Sequence, residues 1–157
     1  MITKELIHEA QKKWGEGIIR IGSLKHNNSE CIQYTTSFLN EMYDFENQDI
    51  LFKPTKASVE QFRPTFKMAL SYFLGGDDSF CSEDDGFAMK PWVEVNFENS
   101  GYIIDDNRAI AMGNYYFTSE QDKKNETKVE YTFGYINDIK GNLRINLHHS
   151  SIPHSGH

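Results

Sequence analysis

The last predicted strand, residues 143–149, carries two adjacent histidines. Alternation along a strand places His148 on the same face as Arg144 and Asn146, and His149 on the opposite face. The two imidazoles therefore do not share a metal from a regular strand. His148, with an ordinary pKa of about 6.5, can serve as a general base in a pocket. The competing role is a hydrogen-bonded structural histidine at a dimer interface.

Catalysis by His148 would require a side chain that orients its ring. Glu94 and Glu130 lie in predicted strands, with a periodicity that lets them face one side, and are the candidate acids. Such a pair, together with tyrosines, suits general acid–base catalysis. The chain has no GxSxG, Walker A or GxGxxG motif, so the common hydrolase and nucleotide-binding signatures are absent from the sequence.

Aromatic residues make up 13% of the chain. Rings around a few polar groups are typical of a small-molecule pocket, although core packing is the simpler role for most of them. Asn114 and Tyr116 add polar ends to one face of a strand. The predicted ligand-binding residues are Trp14, Tyr34, Arg63, Phe66, Asn114, Tyr116, Tyr131 and His148.

Arg63 lies in the segment QFRPTF, where a cation beside a broken helix could bind a carboxylate or phosphate. The alternative is a salt bridge to Glu60 or to the acidic loop at residues 77–86. That loop has the carboxylates of a calcium-binding EF-hand but not its spacing, since its sixth position is Ser82 rather than glycine. The C-terminal histidines also lack the spacing of a structural zinc site. We predict no metal and no cofactor.

The formal charge of −7 argues against nucleic-acid binding, which needs a basic surface, and against an anionic membrane. Cys31 and Cys81 do not form a CxxC pair, and the N-terminus lacks the apolar run of a signal peptide. No segment reaches the apolar length of a membrane span. We predict a cytoplasmic protein with reduced thiols.

Hydrophobic periodicity changes from helical to alternating near Trp92. Helical stripes follow Thr3 and the cap at residues 27–29, and a third helix is predicted from Ser58, broken at Pro64 and resumed to residue 74. The predicted strands are 50–53, 92–99, 102–104, 108–118, 127–136 and 143–149. Helices that precede antiparallel strands define an α+β fold.

Two glycines interrupt the first helix, Gly15 and Gly17. Each weakens a helix by about 1 kcal/mol relative to alanine. They therefore either allow a close approach of another element or permit a bend.

Several segments carry a family resemblance. They are FKPTKAS (52–58), QFRPTF (61–66), GFAMKPW (86–92), AMGNYYF (111–117), YTFGY (131–135) and LHHSSIP (147–153). With the order of helices and strands, they resemble the nuclear transport factor 2-like (SnoaL-like) superfamily. Within it, they resemble bacterial domains related to the association domain of calcium/calmodulin-dependent protein kinase II. The resemblance implies a cone-like fold, a pocket between helices and sheet, and a homodimer or larger assembly through the sheet.

We therefore predict one domain over residues 1–152 and a polar tail over 153–157. The predicted function is that of an uncharacterised domain that binds an unidentified small molecule and forms a homodimer. The alternatives that the resemblance implies are an isomerase, dehydratase or cyclase that uses His148 with a carboxylate, and an oligomerisation module like the kinase association domain.

Overall fold

The computed structural model describes residues 1–156. Its helices are α1 (Lys4–Ser23), α2 (Asn28–Met42) and α3 (Phe66–Leu74), with a short 3-10 helix at Phe87–Met89. Its strands are β1 (Leu51–Lys53), β2 (Trp92–Ile104), β3 (Arg108–Ser119), β4 (Asp122–Asn137) and β5 (Leu143–Ser151). They form a five-stranded sheet in the order β1-β5-β4-β3-β2. Only the β1–β5 pair in this sheet is parallel.

Side-chain caps begin all three α-helices. The hydroxyl of Thr3, the amide oxygen of Asn27 and the hydroxyl of Thr65 each accept a backbone N–H from the first turn. The prediction that the third helix starts at Ser58 is wrong. The Glu83 carboxylate instead accepts the backbone N–H groups of residues 58–60, so that segment is held outside a helix.

α1 runs without a break past both of its glycines. A methyl group on Gly17 would overlap the Phe38 ring of α2, so this glycine serves a close approach of two helices. The separate strand predicted at 102–104 is also corrected, since β2 continues through a register shift between Asn99 and Gly101.

The core lies between the helices and one face of the sheet. Trp14 of α1 is its centre, with rings around it from four strands of the sheet. They belong to Phe97, Tyr115, Phe117, Phe133 and His148. The predicted α+β class, with helices on a curved antiparallel sheet, is confirmed. Across the described residues, no helix combines the length and apolar character needed to cross a membrane.

A β-bulge changes the phase of β5. Gly134 pairs with Leu147 while the next residue, Tyr135, pairs with Ile145, so Asn146 is an additional residue in β5. Ile145 and His148 consequently both face the core, where they are buried. The strict alternation predicted for this strand therefore does not hold across the bulge.

Candidate active site

His148 occupies the middle of the core face of β5. It pairs with Phe52 of β1 on one side and Phe133 of β4 on the other. Its ring lies 4.8 Å from the Phe52 ring and 4.3 Å from the Phe133 ring, centre to centre. Only 2% of the residue is exposed. The imidazole is therefore held in an apolar environment that fixes its orientation.

Both ring nitrogens of His148 are hydrogen-bonded to tyrosines. The Tyr43 hydroxyl lies 2.8 Å from Nδ1 and the Tyr115 hydroxyl lies 3.1 Å from Nε2. The Trp14 indole N–H donates to the Tyr43 hydroxyl at 3.0 Å. A buried polar chain therefore begins at α1 and passes through the histidine.

The chain continues through aliphatic hydroxyls. The Tyr115 hydroxyl lies 2.5 Å from the Ser150 hydroxyl, which lies 2.6 Å from the hydroxyl of Thr55. Nearby, the Tyr72 hydroxyl accepts the backbone N–H of Lys56 at 3.2 Å. Two strands, a helix and the loop after β1 thus bring hydroxyl groups to one place.

These hydroxyls surround a small cavity. Its volume is about 10 Å³, enough for roughly one water molecule. Rings form most of its wall, and the hydroxyls of Thr55, Tyr72, Tyr115 and Ser150 are the polar part together with His148. The lining residues are Trp14, Phe52, Pro54, Thr55, Tyr72, Phe73, Phe87, Tyr115, His148 and Ser150.

Burial keeps the titratable groups of the cavity uncharged. It lowers the pKa of His148 well below its ordinary value, and the nearby charge of His149 lowers it further. Burial also raises the pKa of Tyr43, Tyr72 and Tyr115 above that of a free tyrosine. At neutral pH the site therefore presents a neutral imidazole and protonated hydroxyls.

The predicted ligand residues are divided by the fold. Trp14 and His148 line the cavity. Tyr131 is buried, and its hydroxyl forms a separate polar cluster with Gln11 and Asn99. Tyr34 and Phe66 are half-buried and do not line the cavity.

Asn114 and Tyr116 lie on the opposite face of the sheet, where the Tyr116 hydroxyl donates to Glu98. The two candidate acids are also away from the histidine. Glu94 accepts a hydrogen bond from Asn96, and Glu130 accepts one from Ser151. The described residues thus contain no carboxylate that is hydrogen-bonded to His148.

Arg63 is fully buried but lies outside the cavity wall. Two of its N–H groups donate to the two carboxylate oxygens of Asp84, each at 2.8 Å. The Ser71 hydroxyl also donates to Asp84, at 2.5 Å. The arginine therefore joins the segment before α3 to the acidic loop.

Five hydroxyl-bearing residues of the site were not predicted: Tyr43, Thr55, Tyr72, Tyr115 and Ser150. Ser150 had a signal, since it is two positions from His148 and so shares its strand face. In the segment NYYF (114–117), the two adjacent tyrosines point to opposite faces of the strand. Tyr116 was predicted as the site residue, and Tyr115 was therefore missed. Tyr72 lies on the buried face of α3, where it is indistinguishable from a core residue, and Tyr43 and Thr55 lie at a helix end and in a loop, where no periodicity points to a site. Within residues 1–156, His, Cys, Asp and Glu side chains form no group of three that could hold a metal ion.

Comparison with known proteins shows the family. The family model for metal-independent carbonic anhydrases matches residues 5–152. A metal-independent carbonic anhydrase from Nostoc sp. is 36% identical over 156 residues, which cover 98% of this chain and 75% of that protein.

Solved structures add to this result. The crystal structure of a cyanobacterial iota-carbonic anhydrase complexed with bicarbonate matches with a TM-score of 0.92 and 35% identity, covering 99% of this chain and 94% of the other. A protein described as a calcium/calmodulin-dependent protein kinase II association domain, from Xanthomonas campestris, matches with a TM-score of 0.54 and 19% identity. It covers 96% of this chain and 85% of the other and supports the fold alone.

These findings correct the predicted function. The kinase association domain is a relative in fold, and the nuclear transport factor 2-like resemblance did not identify the family. An uncharacterised binding domain, an isomerase, dehydratase or cyclase, and a bare oligomerisation module are all overturned by the family match. The chain belongs to the metal-independent carbonic anhydrase family.

Proposed function

We propose that this chain interconverts carbon dioxide and bicarbonate in the cavity beside His148. The observation that carries the proposal is the buried chain of hydroxyls that ends at this cavity. It occurs in a fold that matches a bicarbonate-bound iota-carbonic anhydrase with a TM-score of 0.92.

The size of the cavity favours a very small substrate. Ordinary small-molecule pockets measure roughly 300–1,000 Å³, whereas this one measures about 10 Å³. That is room for roughly one water molecule, so the surrounding side chains must move apart to admit carbon dioxide together with the attacking water. Carbon dioxide is small and apolar, which suits the aromatic part of the cavity wall. Bicarbonate adds oxygen atoms that accept hydrogen bonds, as the hydroxyl-lined end of the cavity requires.

The hydration step balances with a single water molecule. The water oxygen bonds to the carbon of carbon dioxide, one carbon–oxygen π bond opens, and one water proton is released. Negative charge develops on the substrate oxygens. We assign the hydroxyls of Thr55 and Tyr72 to stabilise it, because preorganised donors in a dry site act most strongly where charge develops.

The released proton has to leave the site. Burial lowers the pKa of His148, so the imidazole is a poor place to store a proton at neutral pH. The proton therefore passes to solvent or to buffer. Turnover in the hydration direction should then increase with the concentration of a small buffer.

Stopped-flow hydration of carbon dioxide, followed with a pH indicator, tests the proposal. The protein is first dialysed against a chelator, and Thr55→Val is compared with Thr118→Val, which alters a buried threonine outside the cavity. We expect saturable catalysis by the wild type, a large loss in Thr55→Val and little change in Thr118→Val. A folded wild type no faster than buffer, or equal losses in the two variants, would overturn the proposal.

We also propose that the chain forms a homodimer through the outer face of its sheet. Large apolar side chains are exposed there, among them Ile103 at 68%, Met112 at 57% and Ile110 at 42%. Apolar patches of this kind mark interaction surfaces. Sedimentation velocity of wild type and Met112→Glu tests this, and a wild-type monomer would contradict it.

The cytoplasm is the location we propose for this reaction. Cys31 and Cys81 are both free thiols in the structure, which suits a reducing compartment. Fractionation of the source cells with an antibody to this chain would test the location.

A further inference from the structure

Trp14 sets the direction of the hydrogen bonds around His148. An indole N–H can only donate, so the Tyr43 oxygen accepts from Trp14 at 3.0 Å. The single hydroxyl proton of Tyr43 is then available for Nδ1 of His148, 2.8 Å away. Tyr43 therefore donates to the imidazole, and Nδ1 carries no proton.

The opposite arrangement would leave a buried donor without a partner. If Nδ1 carried the proton, Tyr43 would accept from both Trp14 and His148, and its own O–H would need a third partner. Tyr43 is fully buried, and within residues 1–156 its hydroxyl has these two hydrogen bonds only. Buried unpaired donors are rare and costly. The proton of the neutral imidazole is thus on Nε2.

This tautomer sets the direction of the remaining hydrogen bonds between His148 and the cavity. The Nε2–H of His148 donates to Tyr115, which donates to Ser150, which donates to Thr55, over distances of 3.1, 2.5 and 2.6 Å. Each hydroxyl has one proton to give, so the proton of Thr55 is left for a group at the cavity, either the neighbouring Tyr72 hydroxyl or a bound substrate. Hydrogen bonds aligned in one direction polarise one another.

We infer that Trp14, acting through Tyr43, fixes His148 in the Nε2–H tautomer and so turns the hydroxyl chain into a donor toward the cavity. Trp14 and Tyr43 are positioning residues, since their effect passes through His148. A site ordered in this way selects a hydrogen-bond acceptor, such as a bicarbonate oxygen, over a donor. The catalytic consequence rests on the proposed function, whereas the tautomer does not.

Long-range ¹H–¹⁵N NMR of protein labelled with ¹⁵N-histidine measures the tautomer directly. The His148 ring is identified by its cross-peaks to Phe133. We expect a pyridine-type Nδ1 and a protonated, pyrrole-type Nε2 in the wild type. Trp14→Phe removes the fixed donor, so both tautomers should appear. Tyr43→Phe removes the donor to Nδ1 and gives a second test if the first variant does not fold.

Kinetics supply the functional readout. Tyr135→Phe, which removes the hydroxyl of a buried tyrosine outside the cavity, is the matched control and should keep one tautomer and the wild-type rate. Trp14→Phe or Tyr43→Phe should lower kcat at least about tenfold, with KM little changed, because donation to the transition state weakens.

Three outcomes would overturn the inference. They are a protonated Nδ1 in the wild type, a single Nε2–H tautomer in both folded variants, and variant rates equal to that of Tyr135→Phe in an active enzyme. If the wild type shows the expected tautomer but no hydration of carbon dioxide, the proposed function fails while the tautomer assignment stands.

Discussion

The hydroxyl of Thr55 lies 2.6 Å from that of Ser150, although the two residues are 95 positions apart. Thr55 follows β1, which pairs in parallel with β5 through Phe52 and His148. Parallel strands run in the same direction, so the loop after β1 and the C-terminal end of β5 lie at the same end of the two strands. This pairing brings the loop hydroxyl to the histidine strand.

Ser150→Ala should lower kcat and leave the fold intact. It breaks the link between Tyr115 and Thr55, so the Thr55 donor loses the partner that orients it; the loss of an oxyanion donor itself typically costs about 10²–10³ in kcat, which is the upper bound for this change. Stopped-flow hydration of carbon dioxide measures the loss, and circular dichroism checks folding. Ser151→Ala is the control, because the Ser151 hydroxyl instead contacts Glu130. Equal kcat values in the two variants would contradict the assignment.

Gly17→Ala should destabilise the protein despite favouring the helix. Alanine gains about 1 kcal/mol of helix propensity over glycine, but the added methyl would overlap the Phe38 ring. Overpacking in a core typically costs about 1–3 kcal/mol. Urea unfolding should therefore show a net loss of stability, and a stabilised Gly17→Ala would show that α1 and α2 can separate freely.

The fold was predictable because it depends on periodicity. The change from a helical to an alternating pattern near Trp92 separates helices from strands, and the polar caps at Thr3 and Asn27 begin helices in the structure as they do in the pattern. The segment from Ser58 was predicted wrongly because Glu83, far along the chain, takes its backbone N–H groups. The sequence pattern around Ser58 cannot show a contact with a residue 25 positions away.

The site was less predictable because it depends on pairing between distant segments. His148 was recognisable as a chemical group, but its partners are tyrosines from a helix end and another strand. A carboxylate was expected beside it, whereas the site uses neutral hydroxyls. These residue types are common in any core, and only the fold brings them to one place.

Breaking the buried pair of Arg63 and Asp84 should cost far more than breaking a surface pair. Asp84→Asn leaves the guanidinium with only the more distant Glu83 carboxylate, 3.7 Å away, and breaking a buried ion pair typically costs about 3–5 kcal/mol. The double variant Arg63→Met with Asp84→Asn should lose less than the sum of the single changes. Urea unfolding measures all three proteins.

The exposed pair of Lys12 and Glu16, 3.9 Å apart, is the control for that experiment. Exposed helix pairs contribute about 0.3–0.5 kcal/mol, so Glu16→Gln should change stability little. Similar losses of stability in Glu16→Gln and Asp84→Asn would show that the buried Arg63 pair contributes no more to stability than an exposed pair.

Glu83 should make stability fall at low pH. Backbone N–H groups, chiefly those of Ser58 and Glu60, lower the pKa of Glu83 from 4.5 to about 2. A depressed pKa contributes stability above the unfolded value, and that stability is lost as pH falls through the folded value. The contribution of Glu83 is therefore fully present above pH 4.5 and disappears toward pH 2.

Glu83→Gln should remove this part of the pH dependence, because the amide does not titrate. Thermal melts between pH 2 and pH 6 should then show a flatter acid limb than in the wild type. Glu16→Gln, a change on the exposed face of α1, should keep the wild-type slope. If Glu83→Gln follows the wild-type curve, the backbone contacts of Glu83 are absent in solution, and the segment from Ser58 is held by other groups.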